Sequence, residues 1–238
     1  MRSFRPSTIL NSFPIVLLVL AGQGCMMTGS TGAPAEINAP FRNASLNLSQ
    51  WSHRFEGESR EVYRERLKIV GAMDIPQGGT VADIGTGTGL FVAYFSQAVG
   101  PEGRVLALDI APDFVGHVSK RAAEAGLTNV EARVSMQDNV GIDSGTVDVA
   151  YVCDTYHHFE NTARILKSIL KALKPGGRFI VVDYHRIAGK SRPFIMDHVR
   201  APKEVFASEI ESAGFVRLPD PPAAFLEENY MMVFERKR

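Results

Sequence analysis

The chain has 238 residues, of which 45% are hydrophobic and 22% charged, a composition typical of globular proteins with a sizeable core. Lys and Arg together number 26, as do Asp and Glu, so the formal net charge is zero. This balance argues against a broad electrostatic surface for nucleic acid, and no Cys/His spacing matches a structural zinc site.

The first 25 residues have the pattern of a leader sequence. Arg2 and Arg5 precede an apolar run over residues 13–21, and small residues follow it. The run is shorter than the ~20 residues needed to cross a bilayer. The pattern predicts a signal peptide or lipoprotein-type leader over residues 1–25. Cys25 is a candidate for lipid attachment, although the residues before it depart from the usual lipobox, and a lipid there is the only membrane tie we expect.

The leader predicts an exported protein that is periplasmic, secreted or lipid-anchored. A mitochondrial presequence is the alternative, because the segment has arginines and serines but no acidic residue. A cytoplasmic location is a further alternative. Residues 26–50 are rich in Thr, Gly, Ala, Asn and Ser and predict a flexible linker, and residues 51–238 predict one folded domain.

Apolar periodicity within this domain predicts an alternation of helices and strands. The predicted helices cover residues 59–73, 90–99, 113–125, 162–173 and 202–213. The predicted strands cover residues 80–84, 104–109, 129–134, 147–153, 178–184, 215–218 and 230–235. The alternation predicts a doubly wound, mostly parallel α/β sheet. The last two strands have no helix between them, which predicts an antiparallel hairpin at the C-terminus.

The first predicted strand ends in an acid and is followed by glycines at alternate positions, Asp83-x-Gly85-x-Gly87-x-Gly89. Glycine lets the backbone turn sharply and approach a ligand closely, and the N–H groups of the next helix point back at that ligand. The loop therefore predicts a nucleotide-like ligand. A dinucleotide fingerprint needs glycine at position 90, where this chain has Leu90.

The glycine run resembles motif I of the class I S-adenosylmethionine-dependent methyltransferases. Residues 147–159 resemble motif IV of that family, and residues 173–178 match its turn before the fifth strand. The resemblance covers roughly residues 55–238. It implies a seven-stranded sheet in the order 3-2-1-4-5-7-6 and S-adenosyl-L-methionine as the cofactor.

The resemblance also implies which residues bind the donor. An acid at the end of the first strand contacts the methionine ammonium group, and an acid after the third strand contacts the adenine amino group. A carboxylate at the end of the second strand accepts hydrogen bonds from ribose hydroxyls. The predicted donor-binding residues are Asp83, Gly85, Thr86, Gly87, Gly89, Asp109, Gln137 and Asp138.

The end of the fourth strand supplies the predicted catalytic residues. Asp154 is expected near the transferred methyl group or the acceptor. His157 or His158 is the candidate base, because a neutral imidazole removes protons near neutral pH. The alternative is that one histidine only begins the next helix. No metal site is predicted, because the carboxylates near this strand end have an unspecific spacing.

Other side chains are candidates for the acceptor pocket. Tyr156, His185, His198 and Arg200 are expected to line it. Trp51, Phe55 and Arg60 precede the first strand and are expected either to cover the site or to pack as one more amphipathic helix.

The sequence thus predicts a methyltransferase with a small-molecule acceptor and no nucleic-acid partner. Two alternatives stay open. One is an NAD(P)-dependent oxidoreductase, against which Leu90 and the closing hairpin count. The other is a non-catalytic module that binds S-adenosylmethionine, because a fold does not fix a function.

Overall fold

The strands of the described residues form one seven-stranded sheet. A computed structural model describes residues 1, 32–42 and 45–238, and the described residues from 32 onward belong to a unit that spans residues 31–238. The strand order is β3-β2-β1-β4-β5-β7-β6, in which β7 pairs antiparallel with β5 and β6 and the other neighbours are parallel. This order and the C-terminal hairpin confirm the predicted fold class.

The strands are β1 Thr80–Ile84, β2 Arg104–Asp109, β3 Val130–Val134, β4 Val147–Cys153, β5 Leu173–Tyr184, β6 Phe215–Arg217 and β7 Asn229–Arg236. The helices are α1 Ala39–Arg42, α2 Leu48–Phe55, α3 Glu61–Arg64, α4 Arg66–Ala72, α5 Val92–Val99, α6 Pro112–Glu124, α7 Thr162–Ala172, α8 Pro193–His198 and α9 Lys203–Ser212. Two 3-10 helices cover Ala35–Asn38 and Tyr156–His158. Over residues 32–42 and 45–238, no helix has the length and apolar character that crossing a membrane requires.

The core lies on both faces of the sheet, and β4 contributes to each face. Val149 and Tyr151 belong to one buried cluster, whereas Ala150 and Val152 belong to the other. Successive side chains of a strand point to opposite faces, so a strand with helices on both sides must be apolar throughout. Each buried valine of the strand contributes about 1.5–3 kcal/mol by its burial. The core thereby fixes the position of β4, and the predicted catalytic residues follow the C-terminal end of this strand.

The segment before the domain differs from its prediction. Residues 26–50 were expected to form a flexible linker, but the structure shows helical turns over Ala35–Asn38 and Ala39–Arg42. The backbone N–H of Ala33 donates to the carbonyl of Phe159 at 2.8 Å, and Asn38 Nδ2 donates to the carbonyl of His158 at 2.9 Å. These contacts are long-range, and the polar composition of the segment gave no local sign of them. The predicted leader, including Cys25, lies outside the described residues.

Three other elements depart from their predicted bounds. The helix expected over residues 59–73 is interrupted at Glu65, which separates α3 from α4. The short helix Pro193–His198 was not predicted, since six residues are too few for a periodic pattern. The strand β5 begins at Leu173, and its pairing with β4 jumps from Val147↔Leu173 to Val149↔Arg178. The Lys-Pro-Gly-Gly turn is therefore a bulge inside the strand.

Candidate active site at the carboxyl ends of the central strands

Two adjoining cavities lie where β1, β2 and β4 end. These parallel strands all end at the same edge of the sheet, the usual place for a ligand in open α/β folds. The larger cavity encloses about 730 Å³ of empty space, part of it open to solvent. Gly85, Gly87, Phe55, Asp154 and Thr155 line both cavities.

The glycine loop follows β1 and lines both cavities. Gly85 has a φ of +76°, and a Cβ there would stand 2.6 Å from Thr155 Oγ1 and closer still to its methyl group. Gly87 has a φ of +53° and Gly89 one of +83°, so all three lie in the left-handed region that favours glycine. The N–H groups of Gly85 and Thr86 both donate to the Leu108 carbonyl, at 2.8 and 2.9 Å. The loop is thus held against the end of β2.

Asp109 ends β2 and faces the loop. Its Oδ2 accepts from the N–H of Gly87 at 2.8 Å, and its Oδ1 accepts from the N–H of Ala111 at 2.9 Å. Burial raises the pKa of this carboxyl to about 6, while those backbone donors favour the ionised form. The backbone N–H of Ile110 is a third donor to this carboxylate, which offers about four acceptor positions, and the residue lines the larger cavity. Asp109 therefore has room to accept hydrogen bonds from a ligand's hydroxyls.

Asp83 lies one residue before the end of β1 and lines the smaller cavity. Only 3% of its surface is exposed, and its Oδ2 accepts from the hydroxyl of Thr86 at 2.7 Å. Burial, with a smaller contribution from the charge of Asp109, raises its pKa to about 7. An ammonium group placed beside it would restore the ionised state. The Asp83 carboxyl thus suits a cationic end of a ligand.

Asp154 follows β4 with a φ of +47°, a strained conformation for a residue other than glycine. Its Oδ2 forms an ion pair with Arg60, and its Oδ1 accepts from Asn229 Nδ2 at 2.7 Å. Burial raises its pKa, and the guanidinium of Arg60 opposes that shift. Strain of this kind persists only where surrounding contacts hold it, which is typical of functional sites.

His157 is buried, with 1% of its surface exposed, and its ring is held by Asp183. Nδ1 lies 2.8 Å from Asp183 Oδ1, and the same carboxylate accepts from the backbone N–H groups of His157 and Tyr184. Asp183 is fully buried and can only accept when ionised. Nδ1 of His157 is therefore the donor of this hydrogen bond.

His158 lines the larger cavity and is held by Asn38. The Asn38 amide nitrogen donates to the His158 carbonyl and to Glu160 Oε1, so its oxygen faces the His158 ring. Nδ1 of His158 donates to that oxygen at 3.0 Å, which leaves the lone pair on Nε2. Burial, together with His157 and His198, lowers the pKa of His158 to about 2. The third histidine, His198, is exposed at the end of α8, with its Nε2 3.2 Å from that of His158.

An aromatic cluster covers the larger cavity. Phe41, Trp51, Phe55 and Phe114 form a group whose contacting ring pairs have centroids 4.9–6.1 Å apart. All but Trp51 line the cavity, and Arg60 lies over the Phe55 ring at 5.3 Å. The structure thus brings the predicted cover residues Trp51, Phe55 and Arg60 to the site.

Other predicted site residues lie elsewhere. Asp138 does not line either cavity, and its Oδ2 pairs with Arg164 at 3.1 Å. Gln137 lines the larger cavity instead, because the loop after β3 turns the next side chain outward. Tyr156 and Arg200 were expected in the acceptor pocket, yet both contact Glu209 away from the cavities.

Sequence reasoning missed several residues that the structure adds to the site. Asn38, Phe41 and Phe114 line the larger cavity, and Asn229 holds Asp154. Asn38 and Asn229 reach the site through hydrogen bonds to residues at least 75 positions away in the sequence. Phe41 and Phe114 lie on helices whose sequences gave no sign of a site. The clearest available signal was the pair of aromatic residues in α2, which already indicated an apolar cover.

Comparisons with known proteins agree with the fold and with the position of the loop. Residues 81–177 match the sequence profile of a family described as "Methyltransferase domain". The chain is 27% identical over 106 residues to an arsenite methyltransferase of Halobacterium salinarum, a match covering 44% of this chain and 27% of the relative. It is 29% identical over 113 residues to the ubiquinone/menaquinone biosynthesis C-methyltransferase UbiE of Idiomarina loihiensis, covering 47% and 45%. The chain thus spans less than half the length of these curated relatives.

A solved structure extends the likeness of the fold over most of the domain. A SAM-dependent methyltransferase from Aquifex aeolicus superposes with a TM-score of 0.64 at 23% identity, covering 80% of this chain and 97% of that one. At that identity the likeness concerns the fold alone.

Proposed function

We propose that the chain contains a class I S-adenosylmethionine-dependent methyltransferase domain and that it transfers a methyl group from S-adenosyl-L-methionine to a small-molecule acceptor. The observation that carries the proposal is the arrangement of Asp83 and Asp109 on either side of the left-handed glycine loop. One acid faces each of the two adjoining cavities, and a donor with an ammonium group at one end and a ribose at the other would use both.

Donor binding follows from these positions. We place the ammonium group near Asp83, the ribose hydroxyls on Asp109 and the adenine beside Gln137 and Met136. The sulfonium methyl then lies toward Asp154 and His158, which line the larger cavity. Methyl transfer from a sulfonium is a direct displacement, so alignment and exclusion of water supply most of the catalysis.

The acceptor side favours a small molecule with an apolar part. Phe41, Phe55 and Phe114 line the larger cavity. The names of two curated relatives refer to arsenite and to ubiquinone or menaquinone. Because burial lowers the pKa of His158 to about 2, its ring is a poor proton acceptor, and we propose that it positions the acceptor at the cavity wall rather than acting as its base. His157 then orients the pair of rings through Asp183. Asp154 is proposed to shape the site near the methyl group.

The proposal is tested by calorimetric titration of the purified chain with S-adenosylmethionine and, in parallel, with NAD and NADP, followed by methyl transfer assays on a panel of phenols, thiols and quinones. We expect micromolar or tighter binding of the methyl donor only. Tight binding of NAD without binding of the methyl donor would replace the proposal by an oxidoreductase. Donor binding without turnover of any acceptor would favour a binding module.

Asp109→Ala is expected to weaken donor binding by about 1–3 kcal/mol, or roughly 5- to 150-fold in Kd, because a hydrogen-bonded carboxylate facing the ribose is lost. Asp109→Asn keeps one acceptor oxygen and should lose less. Asp138→Ala is the matched control, since its side chain pairs with Arg164 outside the cavities, and its Kd should not change. Equal losses for the two alanine variants would contradict the ribose contact.

Donor binding is also expected to depend on pH. The pKa of Asp83 is raised to about 7, so below that pH the carboxyl is mostly protonated in the free protein. The donor's ammonium favours the ionised form, so binding releases a proton and the affinity rises from pH 5.5 to pH 7, by up to about tenfold per pH unit. Titration in buffers of different ionisation enthalpy measures that proton. Asp83→Asn should retain only the shallower slope due to Asp109, and an unaltered slope would rule out Asp83 as its source.

We further propose that residues 1–25 direct export of the chain and that Cys25 receives a lipid. The support is the basic start, the short apolar run and the small residues around Cys25. Fractionation of cells that produce the full chain and its Cys25→Ser variant tests this proposal. Retention of both proteins in the cytoplasm would contradict export.

A further inference from the structure

Three of the six histidines of the chain converge beside the larger cavity. His157 and His158 belong to the 3-10 helix after β4, and His198 ends α8. One ring nitrogen of each lies within 4.8 Å of one from each of the others, and the ring centroids are 4.5–5.0 Å apart. The methyl donor has no group that requires three imidazoles, so this cluster calls for a separate explanation.

The rings of His157 and His158 are each oriented by a hydrogen bond at Nδ1. Asp183 accepts from Nδ1 of His157, and Asn38 accepts from Nδ1 of His158, so Nε2 is the ring nitrogen that each leaves for another partner. A histidine that binds a metal ion through one nitrogen usually donates its other N–H to a carboxylate or a carbonyl oxygen in this way. Two imidazoles are thus already held in place as ligands would be.

The distances suit a tetrahedral ion. Zn²⁺ binds imidazole nitrogen at about 2.0–2.1 Å, which places two ligand nitrogens about 3.3 Å apart. The Nε2 atoms of His158 and His198 are 3.2 Å apart. In the free protein, one of these nitrogens must donate to the other, and a bound ion would replace that single hydrogen bond by two coordination bonds. His198 is exposed, so its ring can shift as the third ligand approaches.

We propose that His157, His158 and His198 bind one divalent first-row cation of the Zn²⁺ type. Imidazole ligands suit zinc, copper, nickel and iron, whereas magnesium and calcium prefer oxygen. Three protein ligands leave a fourth position open, as in catalytic zinc sites. Because His158 lines the larger cavity, that position lies at its wall.

The open position suggests the class of methyl acceptor. This inference rests on the proposed methyl transfer, whereas the inference of a metal site is independent of it. A hydroxyl or thiol bound to the cation loses its proton to solvent more readily, as water does on Zn²⁺. The resulting anion would attack the methyl carbon. A new bond from oxygen or sulfur to carbon forms, the carbon–sulfonium bond breaks, and its electron pair leaves on the donor's sulfur as a neutral thioether.

The metal site is tested on the full chain after removal of metals by a chelator and in the absence of methyl donor. We expect titration with Zn²⁺ to give one site per chain with a micromolar or lower Kd, and Co²⁺ to give the visible absorption of a tetrahedral complex. His198→Ala should weaken Zn²⁺ binding at least about 100-fold, and Asn38→Ala about 10- to 100-fold. A change of the Co²⁺ spectrum on addition of 2-mercaptoethanol would show that the fourth position is open.

His53→Ala is the matched control, because His53 is exposed in the last turn of α2 as His198 is in that of α8. It should bind Zn²⁺ as the unmodified chain does. Absence of a Zn²⁺ site, or equal affinity in the His198→Ala chain, would overturn the proposal. Donor titration of the same proteins separates the two ideas, since failure of metal binding alone would leave donor affinity unaltered.

Discussion

A chain carrying Gly85→Ala is expected to lose most of its donor affinity and about 2–5 kcal/mol of its free energy of unfolding. The added Cβ would stand 2.6 Å from Thr155 Oγ1 and closer to the methyl group of that side chain, at a φ of +76°. Left-handed strain costs about 1–3 kcal/mol and overpacking a similar amount. Relief requires Thr155 or the loop to move, and both line the two cavities. Calorimetric donor titration and urea unfolding measure the two effects.

Gly116→Ala is the control for this variant. Gly116 lies inside α6, and a Cβ there would meet nothing within 4 Å. Alanine in a helix is better than glycine by about 0.5–1 kcal/mol, so this variant should be slightly more stable and bind the donor normally. If Gly85→Ala behaved like Gly116→Ala, the close approach of the loop to Thr155 would be disproved.

The second large effect is expected for Glu61→Ala. The Glu61 carboxylate, 5% exposed, accepts from the backbone N–H groups of Glu227, Glu228 and Asn229 at 2.7, 3.0 and 2.7 Å. It therefore ties α3 to the start of β7. Loss of the side chain leaves three donors without a partner, of which that of Asn229 is buried, and should cost about 2–4 kcal/mol. For a domain of this size, Tm should fall by about 4–16 °C, which differential scanning calorimetry measures.

Glu58→Ala serves as the comparison, because Glu58 is exposed three residues earlier in the chain. Its Tm should change by less than the equivalent of about 0.5 kcal/mol. Since Asn229 also donates to Asp154, we expect Glu61→Ala to weaken donor binding as well, at temperatures where the variant is folded. A Tm equal to that of Glu58→Ala would show that the tie between α3 and β7 carries no stability.

The sheet could be predicted because its signals are local. Buried strands such as β1, β2 and β4 are short apolar runs bounded by glycine, proline and acids, and their predicted bounds match the structure. The glycine loop also has a local signal, because a left-handed backbone and a close approach to a neighbour both require glycine. The adjoining acids Asp83 and Asp109 followed from the strand ends, because parallel strands end at one edge.

The rest of the site depends on contacts between distant parts of the chain. Asn38 reaches His158 across 120 positions, and no periodic pattern announces such a contact. The conformation of the loop after β3 places Gln137 at the cavity and Asp138 outside it. A loop has no repeating pattern of apolar residues from which this difference could be predicted. His157 and His158 were predicted as bases, but their meeting with His198 needed the short helix α8, which the sequence did not predict.

The place of β7 in the sheet has a consequence for how the chain is made. β7 follows β6 in the sequence, yet it lies between β5 and β6 and pairs with β5 along most of its length. A ribosome-bound chain without residues 229–236 would expose an unpaired edge of the apolar strand β5, with which strands of other chains can pair. The edge of β5 is therefore protected only after these residues have been synthesised, and removal of this short stretch alone should increase aggregation of the chain into inclusion bodies.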